Sequence, residues 1–270
     1  DTYLKGNQGG SRNAVTMAQK CRAWLGEETD KPFFLYFCTS DPHRSGRQAG
    51  HPLTRPDFFG NGRKFTGVKE QTFKPEDVIV PPYLPDTIEC RRELAQYYQS
   101  VARLDQGLGV LVKILKELKL YDNTLILYLS DNGIAFPGAK TNLYEPGMRL
   151  PLVVRSPAQK KRGGSTRAMV SWTDLTPTIL SFAGATPKNY KFHGRSFLGA
   201  IDEENPKGWD EVYASHTFHE ITMYYPMRVL RERRFKYTLN IASGLAYPHA
   251  SDLWASAAWQ GVWQRKERYY

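Results

Sequence analysis

The sequence has few cysteines and no long apolar run, and these absences exclude several classes of protein. Its three cysteines, Cys21, Cys38 and Cys90, show no C-x-x-C spacing, so they indicate neither a disulfide framework nor a zinc site. No apolar stretch approaches the length of a transmembrane helix. The first residues lack the basic and then apolar pattern of a targeting signal. We therefore expect free thiols and no membrane-spanning segment.

Acidic residues are fewer than basic ones. The chain has 27 Asp and Glu and 37 Lys and Arg, which gives a formal net charge of +10. Such an excess favours anionic partners: nucleic acid, polyanionic sugars, or phosphate and sulfate groups. It can equally serve solubility alone. The basic residues cluster only at 159–162 and 231–234, and no nucleic-acid recognition motif accompanies them. A nucleic-acid partner is therefore not expected.

Three short apolar segments predict strands. Residues 33–37 and 125–129 are continuously apolar or aromatic, which is typical of strands buried on both faces. Residues 152–154 form a further short apolar segment.

Helical patterns lie between and after these segments. Residues 86–89 (D-T-I-E) are interpreted as a capping box that opens a long helix with apolar residues at three- and four-residue spacing. Thr173 or Asp174 is expected to cap a second helix that ends at Phe182. Strands alternating with helices predict an α/β sandwich with a largely parallel central sheet.

After residue 187 the pattern becomes β-rich. The segments 210–216 and 227–241 look like strands, and the latter is expected to form a hairpin that turns near Glu232 and Arg233. We therefore predict a division into an α/β part at 1–187 and the start of a smaller β-rich subdomain at 188–270.

Two of the predicted strands end in similar polar turns, Ser40 to His43 and Ser130 to Gly133. Ligands of open α/β sheets bind beyond the carboxyl ends of the strands, so His43, Asp131 and Asn132 would meet at one rim if the strands are neighbours. Asp and Asn supply the oxygen ligands that Ca²⁺ and Mg²⁺ prefer. The alternatives are that Asp-Asn-Gly is only a turn and that His43 is an ordinary loop histidine.

The segments around these turns resemble the sulfatase family of the alkaline phosphatase superfamily. The resemblance is carried by LSDNG at 129–133 followed by KTNLYEPGMRLPLVVRSP at 140–157, and by the strand ending in Pro-His at 42–43. Pro146 replaces the commoner first glycine of the family pattern. DPHRSG, FGNG, ARLDQGLG and FHEITMYYPMR resemble more narrowly the subgroup that removes N-sulfate from the glucosamine of heparan sulfate. An alkaline phosphatase-like sandwich is therefore expected.

The resemblance implies roles for individual residues. Asp131 and Asn132 match metal ligands, usually for Ca²⁺, with Mg²⁺ as the alternative. His43 matches a histidine that contacts the sulfate group. Lys140 stands where most of the family has a sulfate-contacting lysine and the N-sulfatase subgroup has an arginine. Two further residues, His219 and Glu220, match a pair near the substrate pocket.

None of the three cysteines can be the nucleophile that the resemblance implies. Sulfatases use a formylglycine made from a C/S-x-P/A-x-R motif, and none of the three cysteines has Pro or Ala two positions on and Arg four positions on. The formylglycine and a further pair of metal-binding aspartates are therefore expected upstream. This chain alone is predicted to have no sulfatase turnover.

Three hypotheses remain open from the sequence. The first is hydrolysis of N-sulfoglucosamine in heparan sulfate, and the second is hydrolysis of O-sulfated sugars, which Lys140 favours mildly. The third is a non-catalytic sulfatase remnant that holds sulfated glycan through its positive charge. The family implies a periplasmic or secreted location in a bacterium and a lysosomal one in an animal.

Overall fold

The structure is a computed structural model and describes residues 12–28, 30–45, 56–221 and 223–266. The chain divides into two compact units, each described here by itself. The first comprises residues 1–122, 135–138 and 249–270, and the second comprises residues 123–134 and 139–248. The predicted division near residue 187 stays a prediction.

The first unit is helical. Its helices are α1 (Ala14–Leu25), α2 (Ile88–Glu117), α5 (Ser251–Trp254) and α6 (Ala257–Arg265). Helix α1 packs against α2 so closely that a Cβ atom on Gly107 would lie 2.2 Å from the Cβ of Ala14. The long apolar stripe of the sequence is therefore an interhelical core, to which both helices contribute buried side chains: Val15, Ala18, Cys21, Leu94, Leu111, Ile114 and Leu115.

The start of α2 differs from the prediction by one residue. Thr87, not Asp86, is the N-cap, and its hydroxyl accepts a hydrogen bond from the backbone N–H of Cys90 at 3.3 Å. Asp86 forms an ion pair with Arg91 instead. Thr and Asp both cap helices, so the side-chain partners, which local sequence does not specify, decide between them.

The predicted strand at 33–37 is wrong as a buried strand. These residues belong to neither of the two sheets that the described residues form. Phe34 is 68% exposed and Tyr36 is 81% exposed, while their neighbours are half-buried. A strand is buried on both faces only where other strands flank it and layers cover it, and in the described part of the chain the outer face of this segment has no such cover.

The second unit contains two sheets and helices α3 (Glu145–Met148) and α4 (Leu175–Phe182). Strands β1 (Ile126–Leu129) and β2 (Leu152–Arg155) form one antiparallel pair. The other sheet has the order β3-β4-β5, with all its pairs antiparallel; its strands are β3 (Glu211–His216), β4 (Met227–Glu232) and β5 (Lys236–Asn240). The predicted hairpin at 227–241 is therefore confirmed.

The parallel pairing expected for the central sheet is not found among the strands that the structure describes. Parallel strands need a crossover connection of a dozen residues or more, usually with an α-helix that carries the chain back along the sheet. Between β1 and β2 the helix is α3, with 4 residues, which is too short to carry the chain back along the sheet. The two strands therefore run in opposite directions.

The core of the second unit lies between β1, β2 and the segments that follow them. Phe197, Ala200 and Trp209 are buried, and Leu127 and Leu152 pack against them. Helix α4 runs to Phe182 as predicted, with Asp174 at its N-cap position. The Asp174 side chain makes no capping hydrogen bond to this helix and accepts from the backbone N–H groups of Ser171 and Arg195. No helix within the described ranges is long and apolar enough to cross a membrane.

Candidate functional site

The bend that ends strand β1 exposes two polar side chains. Asp131 and Asn132 are exposed, whereas the next residue, Gly133, is buried. The hydroxyl of Ser130 donates a hydrogen bond to the carbonyl of Asn132 at 2.8 Å, which closes the bend. The strand therefore ends by presenting a carboxylate and a carboxamide to solvent.

Close packing behind Gly133 holds this bend in place. A Cβ atom at this position would lie 2.5 Å from the carbonyl oxygen of Pro146 and 2.9 Å from the Cα of Gly147. Gly147 is equally restricted, because its Cβ would lie 2.3 Å from the carbonyl oxygen of Asn142. Both glycines are thus required by close approach of backbone to backbone, and they join the bend to helix α3.

The chemistry of Asp131 and Asn132 fits a hard divalent cation. Both side chains offer oxygen ligands, which suit Ca²⁺ or Mg²⁺. Ca²⁺ takes about six to eight oxygens, however, and this pair supplies fewer. Among the residues that the structure describes, no group of three or more His, Cys, Asp or Glu side chains is placed to hold a metal ion. The pair therefore offers the right kind of ligand atom but too few ligands for a complete metal site.

Lys140 lies in a tight turn of the same unit. Its backbone N–H donates to the carbonyl of Ile134 at 3.1 Å, so its main chain is close to the residue that follows the Asp131–Gly133 bend. The residue is only 6% exposed. A buried ammonium group acts on an anion more strongly than one in water, because the effective dielectric is lower.

Glu145 joins α3 to the three-stranded sheet, a role that the sequence did not predict. Its carboxylate accepts from Arg231 at 2.9 Å and from Lys236 at 3.3 Å. Burial raises the pKa of Glu145, but the hydrogen bond from Arg231 and the charges of Lys236 and Arg231 outweigh it, so the net shift is downwards. The only signal in the sequence was the match of Glu145 to the family motif.

His219 and Glu220 lie in the connection between β3 and β4. His219 is exposed and Glu220 is half-buried. The base of this connection is closed by a hydrogen bond from the backbone N–H of Tyr225 to the carbonyl of Thr217 at 3.0 Å. These two residues therefore belong to the same unit as Asp131, Asn132 and Lys140, and their approach to a common ligand stays a prediction.

His43 belongs to the first unit. Its ring Nδ1 lies 2.9 Å from the carbonyl oxygen of Arg44, and because a carbonyl only accepts, Nδ1 carries the proton in this contact. Arg44 itself is buried, and its guanidinium lies 4.9 Å from the ring centres of Phe59 and Phe136. Convergence of His43 with the predicted metal ligands stays a prediction.

The charge on Arg44 is stabilised despite its burial. Burial lowers the pKa of this guanidinium. The charge and hydrogen bonds of Glu93 and the charges of Asp57 and Asp252 raise the pKa by more than burial lowers it, so the net shift is upwards. From the sequence, Glu93 was only one residue of the predicted long helix. No local pattern distinguishes it from a charged residue on the solvated face of α2.

Two family models match the chain. The model described as "Sulfatase" covers residues 2–185. The model described as "N-sulphoglucosamine sulphohydrolase, C-terminal" covers residues 139–243.

Curated relatives match most of this chain. N-sulphoglucosamine sulphohydrolase from Homo sapiens is 38% identical over 267 residues, which are 94% of this chain and 53% of that protein. An ulvan-active sulfatase from Formosa agariphila is 27% identical over 236 residues, covering 80% of this chain and 39% of the relative. The chain thus spans about half the length, or less, of these relatives.

Solved structures share the fold at lower identity. A Bacteroides thetaiotaomicron protein assigned as a sulfatase has a TM-score of 0.60 at 17% identity, covering 90% of this chain and 57% of the other. The phosphonate monoester hydrolase of Silicibacter pomeroyi has a TM-score of 0.53 at 21% identity, covering 84% of this chain and 51% of the other. The predicted α/β fold class is confirmed. From the family model that matches most of its length, the chain belongs to the sulfatase family.

Proposed function

We propose that this chain is part of a sulfatase that hydrolyses the sulfamate of N-sulfoglucosamine in heparan-type glycans. The observation that carries the proposal is 38% identity to human N-sulphoglucosamine sulphohydrolase across 94% of the chain. The match of residues 139–243 to the C-terminal model of that enzyme points to the same subgroup. The formal charge of +10 suits a sulfated substrate.

In this proposal His43 and Lys140 contact the sulfate group. Sulfuryl transfer, by analogy with phosphoryl transfer, spreads negative charge over the peripheral oxygens. Donors and cations that are already in place stabilise that charge without reorganising. The burial of Lys140, which is 6% exposed, makes it suited to this role.

Asp131 and Asn132 are the proposed metal ligands, with Ca²⁺ as the expected ion and Mg²⁺ as the alternative. A divalent ion held there would supply positive charge next to the sulfate oxygens. The support from this chain is the pair of exposed oxygen ligands on a bend that close packing behind Gly133 immobilises. The remaining ligands would come from residues outside these 270.

His219 and Glu220 are proposed to contact the sugar. They lie on the connection between β3 and β4, and His219 is exposed. An imidazole and a carboxylate can hydrogen-bond to the hydroxyl and amine groups of a glucosamine. This gives the pair a role in substrate choice and none in bond cleavage.

The nucleophile is proposed to lie outside these 270 residues. None of the three cysteines lies in a formylglycine motif. Ser40 fits the letters of the motif as S-D-P-H-R, but it lies in the turn that resembles the Pro-His strand end of the family, so it is not proposed as the nucleophile. Turnover is therefore expected from the protein expressed from its complete gene and not from residues 1–270 alone. Sulfate release by residues 1–270 with no other chain present would contradict this part of the proposal.

The test is an assay of sulfate release by the protein expressed from its complete gene. Two substrates are compared, glucosamine carrying only an N-sulfate and glucosamine carrying only a 6-O-sulfate. We expect release from the first and little from the second. Release from the second alone overturns the N-sulfate assignment, and release from neither overturns the sulfatase proposal.

One observation favours an O-sulfated sugar as the second candidate substrate. Lys140 stands where the N-sulfatase subgroup has an arginine, and a lysine does not offer the planar bidentate fork of a guanidinium. If neither substrate is cleaved, the remaining candidate is a sulfatase remnant that holds glycan. Heparin binding that does not depend on Ca²⁺ and that falls steeply with salt would support it.

A further inference from the structure

His43 is exposed, but the charged residues on either side of the Pro42–His43 pair are buried. The side chain of Asp41 is 0% exposed and that of Arg44 is 1% exposed. Burying a charge is costly unless the charge is paired and hydrogen-bonded. The residues that bind the side chains of Asp41 and Arg44 therefore hold both ends of the short segment that carries His43.

Asp41 is held by two guanidinium groups. Arg12 Nη1 lies 2.8 Å from one carboxylate oxygen, and Arg103 Nε lies 2.5 Å from the other. Arg103 also donates to the side chain of Asn61 at 2.6 Å and to the carbonyl of Phe59 at 3.0 Å. Its guanidinium is thus fixed in orientation, and so is the carboxylate that it binds.

Arg44 is held by a single carboxylate in a bidentate pair. Its two terminal nitrogens each lie 2.9 Å from an oxygen of Glu93, whose side chain is 1% exposed. Arg44 Nε also donates to the carbonyl of Ala135 at 2.7 Å. Glu93 in turn accepts from the backbone N–H groups of Asp57 at 3.2 Å and Ala257 at 3.0 Å. Bidentate, charge-assisted pairs of this kind fix geometry strongly.

Helix α2 supplies one contact at each end of the segment, while Arg12, which also donates to the carbonyl of His43 at 2.9 Å, lies outside that helix. Glu93 and Arg103 lie on helix α2, roughly 15 Å apart along its axis at 1.5 Å per residue. Glu93 binds Arg44 and Arg103 binds Asp41, the residues on each side of the Pro42–His43 pair. The helix therefore helps to set the position of the backbone from which the ring projects.

We propose that Glu93 and Arg103 are positioning residues, which hold the Asp41–Arg44 segment so that the ring of His43 stands where the sulfate group binds. The effect on catalysis rests on the proposed function, while the effect on the ring itself does not. A catalytic group displaced by about 1 Å can lose roughly 100-fold in rate. Weakening either anchor should therefore reduce turnover without removing any group that touches the substrate.

The experiment uses the protein expressed from its complete gene and two variants that preserve side-chain shape or charge. Glu93→Gln keeps the shape and removes the charge, and Arg103→Lys keeps the charge and removes the fork. The matched control is Glu89→Gln. Glu89 lies on the same helix and pairs with Arg265 at 2.8 Å, away from the Asp41–Arg44 segment.

The first readout is the ring signal of His43 in histidine NMR spectra, identified by its loss in His43→Ala. We expect this signal to shift or broaden in Glu93→Gln and in Arg103→Lys and to stay unchanged in Glu89→Gln. An unchanged signal in both test variants overturns the inference. This readout tests whether Glu93 and Arg103 position the His43 ring even if the protein cleaves no sulfated sugar. In that case the proposed function fails, and the inference about ring position is still tested.

The second readout is a double-mutant cycle on kcat/KM for sulfate release. Glu93→Gln should reduce kcat/KM by roughly 100-fold in the wild-type background. In the His43→Ala background the same change should have almost no effect, because the imidazole that Glu93 helps to position is absent. A purely structural role gives the same factor in both backgrounds and would overturn the inference. Arg103→Lys repeats the cycle in case Glu93→Gln does not fold.

Discussion

The carbonyl oxygen of Pro146 lies 2.5 Å from the point at which a Cβ atom on Gly133 would stand. A methyl carbon and a carbonyl oxygen that are not covalently bonded do not come this close, so position 133 tolerates no side chain while the bend and helix α3 keep their places. The backbone that carries the exposed pair Asp131–Asn132 is therefore fixed in position.

Replacing Gly133 with alanine should destabilise the protein and displace the bend. Overpacking of this kind costs about 1–3 kcal/mol. Gly164→Ala is the matched control, because no heavy atom lies within 4 Å of its Cβ position. Denaturant unfolding of both variants measures the difference. Equal stability of Gly133→Ala and wild type would show that α3 moves freely.

Replacing Arg44 with alanine should be among the most damaging single changes. It leaves the carboxylate of Glu93, 1% exposed, without its cation, and breaking a buried pair from one side costs about 3–5 kcal/mol. Lys113→Ala is the control, since its pair with Glu117 spans 3.8 Å on the surface of α2 and is worth about 0.5 kcal/mol or less. The free energy of unfolding in urea distinguishes them, and similar losses would contradict the prediction.

The pair of Glu145 with Arg231 predicts a pH dependence. The pKa of Glu145 is lowered from its ordinary value of 4.5, so the pair stabilises the folded state at neutral pH, and this stability is lost as the pH falls below 4.5 through the lowered folded-state value. Because the carboxylate side chain is 47% exposed, solvent screening keeps the contribution below about 1 kcal/mol.

Urea unfolding of wild type and Glu145→Gln therefore differs at roughly pH 7 and converges at roughly pH 3. Glu203→Gln, an exposed position in the same unit, controls for loss of negative charge. A difference in unfolding free energy that grows as the pH falls would contradict the predicted direction of the pH dependence.

Thiol chemistry should separate the three cysteines. Burial raises the pKa of Cys90 to about 12, with the charge of Glu93 adding to the effect, and burial also raises the pKa of Cys21. Cys38 is exposed. Iodoacetamide at mildly alkaline pH should modify Cys38 in the folded protein and the other two only after denaturation, since the thiolate is the reactive form. Mass spectrometry of the peptides reads this out, and equal labelling of Cys90 without denaturant would contradict it.

Metal dependence should follow Asp131. In the protein expressed from its complete gene, a chelator is expected to lower the melting temperature and to stop sulfate release, and Ca²⁺ to restore both. Asp131→Ala should shift this Ca²⁺ response to higher concentration. Asp105→Ala, on helix α2, is the control. A chelator without effect on either property would remove the metal from the proposal.

Local patterns were sufficient for several elements. The apolar spacing of α2, the end of α4 at Phe182 and the hairpin of β4 and β5 depend on residues close together in the chain. The prediction failed at 33–37, because burial of a strand depends on neighbours that are distant in sequence. The pairing direction of β1 and β2 depends likewise on how the chain returns between them.

Membership of the sulfatase family, the long helix α2 and the Asp131–Asn132 pair at a strand end were readable from the sequence, since each rests on short motifs or on periodicity. The tertiary structure alone decided that Glu93 binds Arg44 and that Arg103 binds Asp41. Nothing local distinguishes these charged residues from a solvated helix face. They are buried because partners 49 and 62 positions away in the chain meet them in the folded state.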